Sequence, residues 1–302
     1  MNFGPIIFLV AFFGLCCSWL GLVLTPQIQI GRLQQTNTIP AGVVYPVQRP
    51  GLARQGLAVY RANGCQYCHS QQVGQTGTIC DVVLTDAGTN ETSTLVALRK
   101  VRPSFSEAQD RQLLAGLPKT IREGITKEAA DAAVKVINAS GAKATAWIVP
   151  VGPDIAEHWG ARRTVAEDFL FDYPVLPGTQ RVGPDLANVG MRLPDANWQL
   201  RHLYAPRSVV KDSLMPPYRF LFEKRRIGRS PSPDAVNLPP ELAPEPGYEI
   251  VPNPEGSALV AYLLSLRASE PLFDAPLSVA EATTASTNAP AQATTSTNAP
   301  AK

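Results

Sequence analysis

The stretch Gly64-Cys65-Gln66-Tyr67-Cys68-His69-Ser70 decides how the rest of this chain is interpreted. Its core, C-x-x-C-H, is the attachment signature of a c-type haem. One helical turn presents the thiols of Cys65 and Cys68 together, so each can form a thioether with a haem vinyl group. The imidazole of His69 then reaches the iron as an axial ligand. The stretch therefore predicts one covalently bound haem c, held by these three residues.

Two other uses of the cysteine pair fit the stretch less well. A thioredoxin-like redox pair needs no histidine after its second cysteine and normally lies in a βαβ pattern. A zinc site needs two further ligands, and the candidates Cys80, His158 and His202 stand at irregular distances along the chain. Haem attachment is the interpretation that uses all three residues.

The composition excludes several classes of protein. The 302 residues have room for one large or two modest domains. A net charge of +2 without a basic stripe argues against nucleic-acid binding. The 28 prolines cluster between residues 150 and 255, which is typical of a loop-rich fold whose cofactor supplies part of the core. The five cysteines do not form a disulfide framework, because two lie in the apolar N-terminus and two belong to the haem motif.

The N-terminus predicts a membrane anchor. Residues 4–24 are uncharged and apolar, and at about 1.5 Å per residue they match the thickness of a bilayer. A cleaved signal peptide is the alternative, but no Lys or Arg precedes the run and no A-x-A-like site follows it. We assign residues 1–30 to the anchor and expect an extended linker over residues 25–50. Since haem is attached to this motif outside the bacterial cytoplasm, we expect a cytoplasmic N-terminus and a periplasmic haem domain.

The second half of the chain supplies the groups expected around the haem. Gly183-Pro184 can run close past the histidine-bearing face, and the Pro184 carbonyl can accept a hydrogen bond from the ring N–H of His69. Arg181 is expected to meet a haem propionate, with a solvated surface charge as the alternative. Pro184 and Arg181 are therefore predicted to contact the cofactor.

The sixth iron ligand is predicted to be Met215. It lies in Ser213-Leu-Met-Pro-Pro-Tyr218, and a thioether on a proline-stiffened loop is a usual ligand in electron-transfer cytochromes. The competitors that remain open are His202, His158 and Met191. A methionine ligand would raise the reduction potential, because a soft neutral thioether favours Fe(II).

Residues 78–153, between the C-x-x-C-H motif and the second half of the chain, are predicted to form an insert without clusters of catalytic residues. A strand is predicted at 81–85, helices from about residues 92, 106 and 126, and a strand at 144–149. Ser106 and Thr126 stand at the starts of two of these helices, and Thr126 is a plausible N-cap. We expect a module for packing or partner docking.

The end of the chain is predicted to contain one more helix and a tail. Residues 255–266 have amphipathic spacing and are suited to cross the helix expected at 52–63, closing the haem pocket. Residues 223–252 are charged and proline-rich and read as a surface excursion. The tail, residues 273–302, contains Ser-Thr-Asn-Ala-Pro twice and should be disordered.

Two resemblances follow from these motifs. The insert, through Leu117-Pro-Lys-Thr-Ile-Arg-Glu-Gly124 and the order of its helices, resembles the C-terminal domain of the bacterial ribosomal stalk protein. The remaining motifs together resemble the mono-haem subunit II of cbb3-type cytochrome c oxidase, CcoO or FixO. The features that carry this second resemblance are the single N-terminal span, the 64–72 stretch, Trp159-Gly160, Asp172-Tyr-Pro174, the 181–190 stretch, Trp198, His202-Leu203, Pro206-Arg207 and the Met215 loop.

These resemblances imply a mainly α fold with a single N-terminal transmembrane helix and a class I-like cytochrome c domain. That domain would comprise residues 31–77 and 154–272, interrupted by the small α/β insert at 78–153. The implied function is a non-catalytic electron-transfer subunit of a haem–copper terminal oxidase in the bacterial inner membrane. Its partners would be the catalytic subunit that reduces oxygen, a di-haem cytochrome c subunit and a cytochrome c-type electron donor.

Three other functions stay open at this stage. The membrane-anchored cytochrome c subunit of nitric oxide reductase also combines one span with one haem. A free-standing anchored cytochrome c shuttle would have no enzyme partner. A scaffold, in which the insert binds a partner and the haem is secondary, is the third.

Overall fold

The computed structural model describes residues 3–39 and 42–277. An N-terminal helix extends over Gly4–Gly31 and is long and apolar enough to cross a membrane, and its most apolar window is not buried against the rest of the protein. It consists of α1 (Gly4–Trp19), a π-helical turn (Leu20–Leu24) and α2 (Thr25–Gly31). This helix fits a membrane anchor.

The expected extended linker over residues 25–50 is corrected by α2, which continues the helix through Pro26. Proline has no N–H to bond the preceding turn, and a π-helical turn is one way to pass such a gap. Here both the backbone N–H and the hydroxyl of Thr25 donate to the Leu20 carbonyl. The extended chain begins after Gly31. It contains the short antiparallel pair β1 (Thr36–Asn37) and β2 (Val44–Tyr45).

The insert is built on a three-stranded antiparallel sheet. Its elements, in chain order, are β3 (Gly77–Asp86), α4 (Glu91–Val101), α5 (Glu107–Leu114), β4 (Lys119–Ile125), α6 (Lys127–Asn138) and β5 (Lys143–Val151), and they follow α3 (Gly51–Ala62). The sheet order is β4–β3–β5, so the central strand opens the insert. Helices α4 and α6 pack on it around Val82, Leu84, Leu98 and Ile137.

The helix starts in the insert follow the capping residues seen in the sequence. Ser106 forms a capping box with Gln109, and the Thr126 hydroxyl accepts from the Ala129 N–H at 3.3 Å. Strand β4 was not expected. Of its seven residues only Ile121 is buried, so its period-2 pattern is too weak to read from sequence.

The chain after the insert consists of short elements joined by long loops. They are α7 (Pro153–Ala156), α8 (Val189–Arg192), α9 (Ala196–Tyr204), β6 (Phe222–Arg226), β7 (Tyr248–Pro252) and α10 (Pro254–Ser265), with 3₁₀ turns at Ala166–Phe169, Pro206–Ser208 and Arg219–Leu221. Strands β6 and β7 pair antiparallel. Residues 223–252 are therefore not only a surface excursion, because Ile250 and Val236 join the main core.

Helices α3 and α10 cross at the centre of this core, as the amphipathic pattern predicts. Their contact is close because α3 carries Gly56 there: a Cβ at that position would lie 1.9 Å from the carbonyl oxygen of Ala258. The rings of Tyr60 and Tyr262 meet across the crossing with centroids 5.2 Å apart. The two helices form the back wall of the region that carries the C-x-x-C-H motif.

The helices predominate, but three small antiparallel sheets make the described chain more mixed than a mainly α fold. The predicted start of the tail also needs correction. Ala275 is 1% exposed and packs with Leu272, Tyr45 and Val165, so packed structure continues past residue 273. The rest of the predicted disordered tail, from residue 278, lies outside the described residues.

Candidate functional site: a cavity between two histidines and a methionine

The C-x-x-C-H motif occupies a tight turn directly after α3. Gly64 has a φ of +69°, a left-handed conformation that glycine adopts without strain. A 3₁₀ turn (Cys65–Tyr67) follows, and the Cys65 carbonyl accepts from the N–H groups of Cys68 and His69 at 3.1 and 3.0 Å. Neither cysteine belongs to a disulfide, and Cys65 is half-buried whereas Cys68 is exposed. Burial raises the pKa of Cys65 to about 11, so this thiol is protonated at neutral pH.

The imidazole of His69 is oriented by the Gly183-Pro184 segment. Its Nδ1 lies 2.8 Å from the carbonyl oxygen of Pro184. A carbonyl can only accept, so Nδ1 carries the proton and Nε2 is left as the ring nitrogen able to bind a metal. Gly183 lies against the ring, where a Cβ would be 2.3 Å from Cε1. Burial lowers the pKa of His69, and the Pro184 hydrogen bond opposes that effect only in part. The ring is therefore neutral, as a metal ligand must be.

The histidine borders a mostly apolar cavity of about 70 Å³. Its walls come from the motif, α3, the 184–193 segment, α9, the Met215 loop and α10. The lining residues are Tyr60, Cys65, His69, Pro184, Leu186, Val189, Arg192, Leu193, Trp198, Gln199, His202, Leu203, Met215, Leu259 and Leu263. Such walls exclude water and place a few polar groups at fixed positions, which is what a cofactor pocket requires.

Among the four candidates for a sixth ligand, the structure brings Met215 and His202 to this cavity. The Met215 loop is held against α9, because the Tyr218 N–H donates to the Leu203 carbonyl at 2.8 Å. Neither His158 nor Met191 is among the residues that line the cavity, and Met191 is exposed.

His202 differs from Met215 in its surroundings. Its ring stacks on Trp198 with centroids 4.9 Å apart, and its buried Nδ1 has no hydrogen-bond partner within the described chain. Burial lowers the pKa of His202 to about 4, and the charge of a protonated His69 would add to that effect. Both side chains thus remain chemically able to face an iron, one as a thioether and the other as a neutral imidazole.

Arg181 has protein partners that the sequence did not reveal. Its guanidinium donates to Asp154 Oδ1 at 2.9 Å, to Ser70 Oγ at 2.8 Å and to the Gln72 carbonyl. The predicted propionate contact would have to compete with these bonds. The missed partner is Asp154, 27 residues away along the chain. The other missed residue is Asp185, which directly follows the Gly183-Pro184 turn in sequence and could have been noticed there.

The comparisons with known proteins agree with the two resemblances seen in the sequence. Residues 148–236 match the family described as "Cytochrome C oxidase, mono-heme subunit/FixO". The chain is also similar to the large ribosomal subunit protein bL12 of Delftia acidovorans, with 45% identity over 65 residues, 21% of this chain and 50% of that protein. The bL12 of Leptothrix cholodnii is 43% identical over 88 residues, 29% of this chain and 69% of that protein.

The bL12 of Hyphomonas neptunium is 36% identical over 63 residues, 21% of this chain and 50% of that protein. The chain thus spans about half the length of most of these ribosomal relatives, and they account for only a fifth to a third of it. Both similarities confirm the interpretation of the chain as two kinds of segment, one related to an oxidase subunit and one to a ribosomal protein.

Proposed function

We propose that this chain relays electrons in a cbb3-type haem–copper oxidase, because residues 148–236 match the family of mono-haem cytochrome c oxidase subunits and a further 65 residues are similar to bL12. The relay passes through one covalent haem c, bound by Cys65 and Cys68 and ligated by His69 and Met215. The observation that carries this proposal is the single cavity that Cys65, His69 and Met215 share.

The donor set of the cavity fits a c-type haem. The two thiols of the motif stand one turn apart, with Cys65 on the cavity wall, and the neutral imidazole of His69 has its Nε2 available. A thioether and an imidazole are a usual ligand pair for an electron-transfer haem. When bound, the haem supplies one-electron chemistry by cycling between Fe(III) and Fe(II). The chain itself supplies the orientation of the ligands and the exclusion of water.

The walls of the cavity are expected to raise the reduction potential. Leu186, Val189, Leu203, Leu259 and Leu263 line it, and a medium of low dielectric constant disfavours the extra positive charge of Fe(III). The neutral thioether of Met215 acts in the same direction. A high potential suits a relay that accepts electrons from a cytochrome c-type donor.

The N-terminal helix would keep this relay at the membrane surface. With its N-terminus in the cytoplasm, helix Gly4–Gly31 would place the haem-binding unit (residues 31–77 and 154–272) in the periplasm, where haem c is attached. The proposed path runs from the di-haem subunit or a soluble donor, through this haem, to the catalytic subunit that reduces oxygen. This subunit has no catalytic residue of its own in that path.

Purification through a tag on this chain tests the proposal. The expected complex contains a polytopic haem–copper subunit, a di-haem cytochrome c and oxygen-reducing activity with a reduced cytochrome c donor. A chain that purifies alone with its haem would instead be a free shuttle. A complex that reduces nitric oxide and contains no copper would identify a nitric oxide reductase subunit.

A matched variant ties the activity to the haem of this chain. Cys65→Ala with Cys68→Ala should abolish electron transfer from the donor, whereas Cys80→Ala should leave it unchanged. Cys80 is a control of the same chemistry, because it is buried in the core of the insert. Full turnover of the double variant would contradict the relay.

A further inference from the structure

Asp185 is a buried carboxylate that the proposed relay does not yet use. It is 0% exposed. Its Oδ2 accepts from Ser70 Oγ at 2.6 Å and from the Gln72 N–H at 2.6 Å, and its Oδ1 accepts from the Ala187 N–H at 2.8 Å. Three donors converge on one side chain that lies next to Pro184 in the sequence. A fully buried carboxylate needs such partners to remain charged.

The bonds of Asp185 join the two segments that hold His69. The N–H groups of Val182 and Gly183 donate to the Cys68 carbonyl at 3.0 Å, and the Leu186 N–H donates to the Ser70 carbonyl at 2.8 Å. These backbone bonds flank His69 on both sides, and the carboxylate adds the side-chain bonds to the same pairing. Together they fix the position of the Pro184 carbonyl opposite Nδ1 of His69.

We propose that Asp185 is a positioning residue for the iron ligand His69, and that its charge lowers the reduction potential of the haem. This inference rests on the proposed haem function. By holding Pro184, the carboxylate fixes the ring orientation that leaves Nε2 for the iron. By placing a negative charge beside the ligand, it stabilises the Fe(III) state.

Arg181 provides the opposite charge in the same cluster. Its Nη2 lies 3.8 Å from Asp185 Oδ2, and its Nε donates to the Ser70 hydroxyl that in turn donates to Asp185. Arg181 also pairs with Asp154, whose Oδ2 accepts from the Gly74 N–H at 2.6 Å. The charges therefore alternate from Asp185 through Arg181 to Asp154 in α7. Removing one charge of each sign should move the potential in opposite directions.

Redox titration of the haem in the purified complex tests this inference. In Asp185→Asn, which keeps the shape but removes the charge, the ratio of reduced to oxidised haem at the wild-type midpoint should rise about tenfold. That is a shift of about +59 mV for one electron. Arg181→Gln should shift the potential in the negative direction. Ser70→Ala, which removes two hydrogen bonds and no charge, should change it by less than a third of the Asp185→Asn shift.

A control and a second readout separate charge from structural damage. Asp131→Asn makes the same chemical change at an exposed pair with Lys127 in the insert, and should leave the potential unchanged. The low-spin electron paramagnetic resonance signal, which reports the orientation of axial ligands, should change in Asp185→Asn and stay as in wild type in Asp131→Asn.

The outcomes distinguish this inference from the relay itself. If Asp185→Asn and Arg181→Gln shift the potential in the same direction, or if neither shifts it, the role of Asp185 is wrong although the haem remains. If Asp185→Asn binds no haem, Asp185→Glu is measured instead, because it keeps the charge. A potential close to that of the wild type then supports the proposal. A positive shift of about 59 mV, as expected for loss of the charge, overturns it. If the wild-type chain carries no covalent haem, the proposed function itself fails.

Discussion

The hydrophobic cores of the insert and of the haem-binding unit are filled in different ways. In the insert, the apolar side chains of a sheet and two helices fill the interior around Val82, Leu98 and Ile137. In the haem-binding unit, the core around Tyr60 and Leu259 borders a cavity that also exposes Cys65, His69 and His202. A close-packed interior needs no further group to fill it. A core that borders a cavity with metal-ligating groups depends on what fills that cavity.

The largest effect is expected from removing the covalent attachment. Cys65→Ala with Cys68→Ala should remove the haem that remains bound after denaturing electrophoresis, because the other cysteines lie in the N-terminal helix and in the core of the insert. Limited proteolysis of the variant should then cut the haem-binding unit, while the insert stays resistant because its own core is unchanged. Covalent haem in the double variant would contradict the assignment. Equal protection of both units would remove the proposed difference between their cores.

Matched leucine truncations sharpen the comparison. Leu98 in the insert and Leu259 in the haem-binding unit are 0% and 1% exposed. Each Leu→Ala substitution should lower the free energy of unfolding by about 2–5 kcal/mol. Only Leu259→Ala should also change the haem absorption spectrum and potential, because Leu259 lines the cavity. Thermal unfolding together with visible spectra of both variants checks this, and an altered spectrum in Leu98→Ala would show that the two units are coupled.

A smaller effect is expected at the helix crossing behind the cavity. Gly56→Ala places a methyl group against the Ala258 carbonyl and should cost about 1–3 kcal/mol by forcing α3 and α10 apart. Gly51→Ala in the same helix meets open space within 4 Å and is the control. Chemical denaturation of the two variants measures the difference. Equal stabilities would mean that the close crossing does not support the haem-binding core.

The smallest effect on the haem is expected from removing the whole insert. The Thr76 N–H donates to the Val151 carbonyl at 2.9 Å, so the two ends of the insert are adjacent. Joining Thr76 directly to Gly152 should keep the haem spectrum and oxidase turnover. Loss of turnover with an intact haem would assign the insert a necessary role in partner binding, as the scaffold hypothesis requires.

Local structure around the motif could be predicted from the sequence because it depends on local signals. The helix before Gly64, the N-caps Ser106 and Thr126, and the amphipathic α10 are all encoded by spacing and residue type. The Pro184 carbonyl also lies where the Gly183-Pro184 turn predicts it, although its role at a haem stays a prediction.

Long-range polar pairs could not be predicted in this way. Asp185 and Ser70 are 115 residues apart, and Asp154 and Gly74 are 80 residues apart. No periodicity encodes such pairs, because each depends on how separate loops pack. The propionate hypothesis for Arg181 overlooked Asp154 for this reason. Strand β4 was missed because backbone pairing with β3 specifies it, with little help from its mostly exposed side chains.

The most direct test of the central claim is a redox spectrum of the purified complex, comparing wild type with Met215→Ala. With Met215 as the sixth ligand, the weak methionine-to-iron absorption band of the oxidised protein should disappear in the variant, and the reduction potential of this haem should fall. An unchanged band and potential would contradict Met215 as the sixth ligand. His202, the other metal-ligating side chain on the same cavity, would then be the residue to replace.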